Sequence, residues 1–424
     1  MKRAVLVMMD GLRADQAYGL DLPNIGRMRA RGATFMSHRG IFPSATRASS
    51  ASVATGCYPT RHGLHGNQMG LPEGSGFVAY DVGKPEFFDR LRAATGQTLL
   101  VPTLAERVKA IGGGIVFSNV SPGAALAHDP DGHGYVYHRA VSMAPGRLPA
   151  TDPLVVTLSG EGDAAMAERF VQEVLFQRKP ASAVLWLSNP DDTQHFNPLG
   201  SPASIAAIRE ADRVLGTVID AVEVLDPTGE TMLLLAGSDH GHETVRSYIP
   251  VEAELIAAGF KPDADDQSLV IASQGTGFLV YSKPGQEARI AELADWLETR
   301  DWCGRVVSED GLASIGHIAG TGVVLAVGMR STDEKNAFGV PGTTFVASRF
   351  ETAGRTLMNG SHGGMGRYET SPYLVAMGPG FAAGETRADH TALVDIAPTM
   401  LAHLDLDASA LDGRPLQSIL HSAS

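Results

Sequence analysis

Cysteine is nearly absent from this sequence: Cys57 and Cys303 are the only two in 424 residues. That excludes a disulfide framework as the source of its stability. No apolar run approaches the roughly 18 residues needed to cross a bilayer. The longest candidates, such as LVVTL and TMLLLA, have the length of core strands. Cations are also in short supply, 34 Lys and Arg against 47 Asp and Glu, for a formal net charge of −13. Such a chain has no global basic field for a nucleic-acid polymer, and no local Lys/Arg cluster replaces it. The amino-terminal MKRAVLVMMDG sets two basic residues before an apolar run, but the run stops at Asp10 and no small-residue cleavage site follows. It reads as a buried first strand. The expected compartment is cytoplasmic, with no membrane partner, and both monomer and homodimer remain open.

What is present is ordinary for a globular chain, 44% hydrophobic and 19% charged. Apolar runs at 4–9, 182–188 and 231–237 lead into Asp10, Asp191 and Asp239, and a fourth at 372–378 follows His362. Short continuous apolar runs between helical patterns predict strands buried on both faces of a mainly parallel sheet. Helices are expected within 103–111, 163–176, 203–222 and 391–404. Ligands of open α/β sheets bind outside the carboxyl ends of the strands, so the three aspartates are expected to converge on one edge. Residues 68–150, rich in Gly, Pro, His and Tyr, read as a long excursion over one face. Residues 247–357 read as a small α+β cap inserted into a catalytic core of 1–246 and 358–424.

The chemistry concentrates at those strand ends. Asp191 and His195 stand in DDTQH, Asp239 and His240 in SDHGH, and His362 in GSHGG. Three carboxylates and three imidazoles form a mixed N/O donor set suited to zinc or a neighbouring transition metal. Two divalent ions bring four positive charges against three negative ones, which leaves a site ready for a phosphate-type anion. His242 and Glu243 extend the same loop as candidates for a supporting shell. Residues 41–56, IFPSATRASSASVATG, crowd six hydroxyls together. Local pattern alone leaves Ser44 and Thr46 both open as a nucleophile. DPDGHGYVYH (129–138) reads as a turn over the site mouth, with Tyr135 or Tyr137 facing either a substrate ring or the strand core.

Taken in order, MDGLRAD, FPSATRASSASVATGCYPTRHGLHGN, PDDTQH, SDHGH and GSHGG resemble the alkaline phosphatase superfamily, and look most like its type I phosphodiesterase/nucleotide pyrophosphatase branch. The resemblance runs from Asp10 to about His362, and DIAPTMLAHL looks like the family's C-terminal segment. It implies an α/β three-layer sandwich with a mainly parallel central sheet. It places the nucleophile ten residues before the glycine of a T-G pair, here Thr55-Gly56, which selects Thr46. It implies one metal held by Asp191, His195 and His362, and a second held by Asp10, Asp239 and His240 together with Thr46. Zn2+ is the expected ion, with Mn2+ or Fe2+ as alternatives.

The implied reaction is hydrolysis of a small anionic phosphodiester of nucleotide type through a phospho-threonine. The branch is expected to carry an asparagine three residues after the nucleophile as a donor to the phosphoryl group. This chain has Ser49 there, so Arg47 and Asn67 are candidates for the same task. Sulfatases and cofactor-independent phosphoglycerate mutases share the fold, but Thr46 and Ser50 depart from their patterns. Phosphonoacetate hydrolases share the threonine and all six ligands. Cleavage of a phosphonyl C–P bond is therefore the alternative, with Lys84, Arg90, Arg92 and Arg139 as candidate grips for a substrate carboxylate.

Overall fold

The computed structural model describes residues 1–317, 320–349 and 357–417. Its centre is a ten-stranded sheet. In spatial order the strands are Glu385–Ala392, Ala33–Arg39, Leu374–Met377, Met232–Gly237, Arg3–Met9, Ser182–Leu187, Gly114–Ser118, Tyr135–Tyr137, Ser142–Ala144 and Leu148–Pro149. The four in the middle, from Met232–Gly237 to Gly114–Ser118, all run parallel. Leu374–Met377 is a local antiparallel strand beside them.

Every residue of Arg3–Met9, Ser182–Leu187 and Met232–Gly237 is buried. Successive side chains on a strand point to opposite faces, so each run feeds two cores at once. Leu6, Met8, Trp186 and Leu235 pack with Ala48, Ala51 and Ile396 on one face. Val5, Val7, Leu185 and Leu234 pack with Met28, Phe170, Leu215 and Ile219 on the other. Helix Pro202–Leu225 shows why the layers hold. Its buried residues Ile208, Ala211, Leu215, Val218, Ile219 and Val222 recur at helical spacing. Its start is set by Pro202 and by Ser201, whose side chain accepts from Ser204 N–H. The three-layer, mostly parallel α/β architecture expected from the sequence is what forms.

Residues 68–150 differ from expectation. After a hairpin of Gln68–Glu73 with Gly76–Asp81, the chain enters the main sheet: Gly114–Ser118 pairs parallel with Ser182–Leu187, and three more strands widen that edge. GIVFS is only five residues long, so its strand character rests on a partner far away in the chain. Between residues 237 and 374 lie two further four-stranded sheets. One combines Ser331–Lys335, Pro341–Ser348, Glu243–Pro250 and Gly360–Ser361. The other combines Leu269–Ser273, Gly277–Ser282, Val323–Met329 and Cys303–Ser308, against which helix Glu287–Glu298 packs Leu293 and Leu297. Strand Glu243–Pro250 runs across residue 246. Among the described residues no helix is long and apolar enough to cross a membrane.

The loop between Leu269–Ser273 and Gly277–Ser282 locks onto the segment carrying His362. Thr276 N–H donates to the His362 carbonyl at 3.0 Å. The backbones approach so closely that a Cβ on Gly363, at φ +114°, would lie 1.7 Å from the Gln274 carbonyl oxygen. Gly363→Ala therefore combines left-handed strain with a backbone collision. It should destabilise the protein by at least about 1–3 kcal/mol, read as a lower denaturant midpoint at unchanged slope.

Candidate active site

The sheet register does the first part of the assembly. Met8 lies beside Gly237 and Met9 beside Leu187. Asp10, Asp239 and Asp191 therefore leave the sheet from one edge, as the sequence predicts. Each is then pinned by the scaffold. Trp186 Nε1 donates to Asp10 Oδ2 at 2.8 Å, Gly11 N–H donates to Asp239 Oδ1 at 3.2 Å, and Asp191 N–H donates to the Asp10 carbonyl at 3.0 Å. The other oxygens are bare: Asp10 Oδ1, Asp191 Oδ1 and Asp239 Oδ2 are buried without a hydrogen-bond partner.

The imidazoles are oriented in the same way. His362 Nδ1 lies 2.7 Å from the Ser44 carbonyl and His240 Nδ1 lies 3.1 Å from the Gly241 carbonyl. A carbonyl only accepts, so each Nδ1 carries the proton and each Nε2 presents a lone pair. His240 Nε2 then faces Asp10 Oδ1 and Asp239 Oδ2, both at 3.3 Å, and Thr46 Oγ1 at 3.1 Å. His195 and His362 turn their Nε2 atoms toward Asp191 Oδ1, at 3.3 and 3.5 Å. Two donor clusters result: Asp10, Asp239 and His240, and Asp191, His195 and His362 joined by His242. All six residues expected as ligands lie in these two clusters.

Burial sets the electrostatics. It pushes the Asp10 carboxyl well above its usual range, helped by Asp239 and Asp191. Asp239 is pushed up to about 7 by burial and by Asp191. Burial also works against Asp191, but the facing His195 and His242 outweigh it and hold that carboxyl well below its usual range. His240 is pulled down to about 4 by burial, and burial also holds His362 well below its usual range. At His195 burial is outweighed by the facing Asp191, which raises the imidazole, while the bare carboxylate oxygens of Asp10, Asp191 and Asp239 have no hydrogen-bond donor. Bare carboxylate oxygens opposite imidazole lone pairs fit divalent ions, which supply the missing positive charge.

Of the six hydroxyls in 41–56, Thr46 alone lines the main cavity, a cleft of about 940 Å³. Thr46 is the first residue of helix Thr46–Thr55, whose start has no side-chain cap. Ser44, the rival, is fully buried; it donates to Glu369 Oε2 at 2.9 Å and accepts from Gly363 N–H at 2.9 Å. Ser52 pairs with His62 at 3.0 Å, and Thr55 donates to the Ala51 carbonyl at 2.7 Å. Ser49, expected to face the phosphoryl group, is completely buried and lines no part of the cleft. A residue three after Thr46 lies on nearly the same face but almost one turn further along the helix, and here that turn is covered by the protein.

Arg47 and Asn67 both line the cleft. The Arg47 guanidinium is directed to Ser121 Oγ, at 3.1 Å, and toward Asp81. Asn67 accepts from Arg47 N–H through Oδ1 at 3.3 Å, and its Nδ2 has no hydrogen-bond partner among the described residues. Of the four cations suggested for a carboxylate, only Arg139 reaches the cleft, where it donates to Asn119 and Val120 oxygens. Arg90 instead lies over the Tyr80 ring, and Arg92 pairs with Asp89 and Asp131. Tyr135 and Tyr137 stack on one another outside the cleft. Asp129 accepts from the His133 and Gly134 N–H groups, a turn that also lies away from the site mouth.

Sequence reasoning missed Asp163. Its buried carboxylate accepts from the Ser188 and Asn189 N–H groups, at 3.0 Å each, and so fixes the loop that delivers Asp191. Nothing in its helical setting signals that role. Glu243 is fully buried, and its carboxyl, pushed up to about 8 by burial and by Glu369, accepts from Tyr368 N–H away from both clusters.

The layered sheet with paired clusters at its carboxyl edge defines an alkaline-phosphatase-like fold. Residues 4–301 match the family model of type I phosphodiesterase / nucleotide pyrophosphatase, and the chain belongs to that family. Ectonucleotide pyrophosphatase/phosphodiesterase family member 1 of Mus musculus is 26% identical over 244 residues, covering 56% of this chain and 24% of the relative. Venom phosphodiesterase of Naja atra is 24% identical over 256 residues, covering 57% and 26%. The chain thus matches about a quarter of the length of these curated relatives. Among solved structures, an inactive variant of murine ectonucleotide pyrophosphatase/phosphodiesterase 5 in complex with AMP aligns at TM-score 0.68 and 18% identity, over 97% of each chain. The human counterpart aligns at 0.67 and 17%.

His362→Ala removes one donor of the Asp191 cluster and leaves the Asp10 cluster whole. Dialysis against a graded chelator series should remove that cluster's equivalent at a lower chelator concentration than in wild type. An unchanged chelator profile would refute the assignment.

Proposed function

We propose that this protein is a two-metal hydrolase of nucleotide-type phosphodiesters acting through a phospho-threonine on Thr46. The observation that carries the reading is the position of the Thr46 hydroxyl, at an uncapped helix start, in the cleft, 3.1 Å from His240 Nε2. Divalent ions at the two clusters, Zn2+ by preference and Mn2+ or Fe2+ as alternatives, would supply the charge that activates the hydroxyl and stabilises the attacking and leaving oxygens.

The protein's own groups do the rest. Thr46 Oγ1 attacks phosphorus and the bond to the leaving oxygen breaks; water then cleaves the phospho-threonine and restores the hydroxyl. The backbone N–H groups of the first helical turn face an incoming phosphoryl group. Asn67 Nδ2, rather than the buried Ser49, donates to a non-bridging oxygen. The cleft volume suits a nucleoside monophosphate unit, and AMP in the related murine structure supports the same substrate class. The phosphonate alternative rests on Arg139, whose guanidinium is already directed to backbone oxygens.

Thr46→Ala should reduce turnover by at least about 10³-fold while leaving metal content nearly intact. Strong residual turnover would sink the assignment. Asn67→Ala should lower kcat by about 10²–10³-fold, the loss typical of one oxyanion donor; an unchanged kcat would remove Asn67 from the reaction. Comparing kcat/KM for p-nitrophenyl thymidine monophosphate and phosphonoacetate on zinc-loaded protein decides the substrate class. The diester should win by orders of magnitude, and a phosphonoacetate preference would overturn the phosphodiesterase reading.

A further inference from the structure

His242 stands two residues after His240, yet its ring belongs to the other cluster. Its Nδ1 lies 3.1 Å from the Gly11 carbonyl, so that nitrogen carries the proton and Nε2 holds a lone pair. That Nε2 is fully buried and has no hydrogen-bond partner. It points at Asp191 Oδ1, 3.0 Å away, which is itself bare. Two acceptors held face to face in a dry pocket repel unless a cation lies between them.

The distances carry the argument further. Asp191 Oδ1 is 3.0, 3.3 and 3.5 Å from the Nε2 atoms of His242, His195 and His362, and the last two nitrogens are 3.2 Å apart. A tetrahedron of zinc-ligand bonds of about 2.0–2.1 Å has edges of about 3.3–3.4 Å. Four of the six edges of such a figure are therefore already drawn by these donors. The backbone makes room for the arrangement: Gly11 sits at φ +72°, and a Cβ there would lie 2.4 Å from His242 Cε1. By contrast the Asp10, Asp239 and His240 cluster contains three such residues, with the Thr46 hydroxyl beside it.

We propose that His242 is a fourth protein ligand of the Asp191 position, which makes that position closed and strongly retained, while the position beside Thr46 is open and exchanges first. This rests on the two-metal reading above and adds an asymmetry between the sites. A four-ligand set grips its ion more strongly and would admit a leaving oxygen only by expanding to five-coordinate, whereas the open set keeps a place for exogenous oxygen.

The test is metal retention and coordination, independent of turnover. Full-length zinc-loaded protein is dialysed against a graded chelator series. One equivalent should leave early and one late, and His242→Met should advance the late loss by at least about 10–100-fold in chelator concentration. Wild-type protein holding the single late equivalent is then examined by X-ray absorption, which needs no variant. Three imidazoles around that zinc are expected. Two imidazoles, or equal retention in wild type and His242→Met, would remove His242 from the ligand set. Failure of the wild type to retain any zinc would overturn the two-metal reading itself, and this proposal with it.

Discussion

The carboxyl edge of this sheet is governed by one electrostatic constraint: acceptor atoms are packed against acceptor atoms where water is excluded. Asp10 Oδ1, Asp191 Oδ1, Asp239 Oδ2 and His242 Nε2 are buried without hydrogen-bond partners. Folding alone does not relieve that crowding, because each opposite oxygen of Asp10 and Asp239, and the Nδ1 atoms of His240, His242 and His362, are committed to the scaffold. The remaining lone pairs are thereby aimed inward. An unsatisfied buried acceptor costs about 1–3 kcal/mol, so several together mark a site built for a ligand of positive charge.

Three separate parts of the fold hold that geometry. The parallel register of Arg3–Met9 with its two neighbours delivers the aspartates at one level. Asp163, from a helix on one face, fixes the Ser188–Asn189 turn before Asp191. The Gln274 loop presses on the His362 segment from a different sheet, through approaches that only glycine at 275 and 363 allows. The hydroxyl proposed as nucleophile comes from a fourth element, the helix begun by Thr46. Its neighbours Ser44, Ser52 and Thr55 have structural partners, and Ser49 and Ser50 are buried away from the cleft, which leaves one hydroxyl facing it.

Much of this could be read from the chain. Apolar runs ending in Asp10, Asp191 and Asp239 report strands buried on both faces, and motif order points to Thr46 and the six metal-binding candidates. The misreadings share a cause. Ser49 was expected in the cleft from its distance to Thr46 along the chain, but the turn of the helix buries it. Residues 114–149 read as part of an excursion over one face because their strands are short and find partners only across the sheet. His242 follows His240 by two residues, and its choice of cluster depends on where the Gly11 carbonyl stands.

The sequence by itself determined the central buried strands, the donor inventory and the acidic balance, since these follow from local periodicity and residue chemistry, while the preference for Thr46 over Ser44 came from the motif resemblance. Only the tertiary structure decided which face of the Thr46 helix meets the cleft, which imidazole serves which carboxylate, and which Asn67 atom is left free. Those outcomes depend on contacts between residues up to hundreds of positions apart, such as His362 with the Ser44 carbonyl. A side chain's direction in such a site is set by the backbone group that takes its other end, and that partner is chosen in space rather than along the chain.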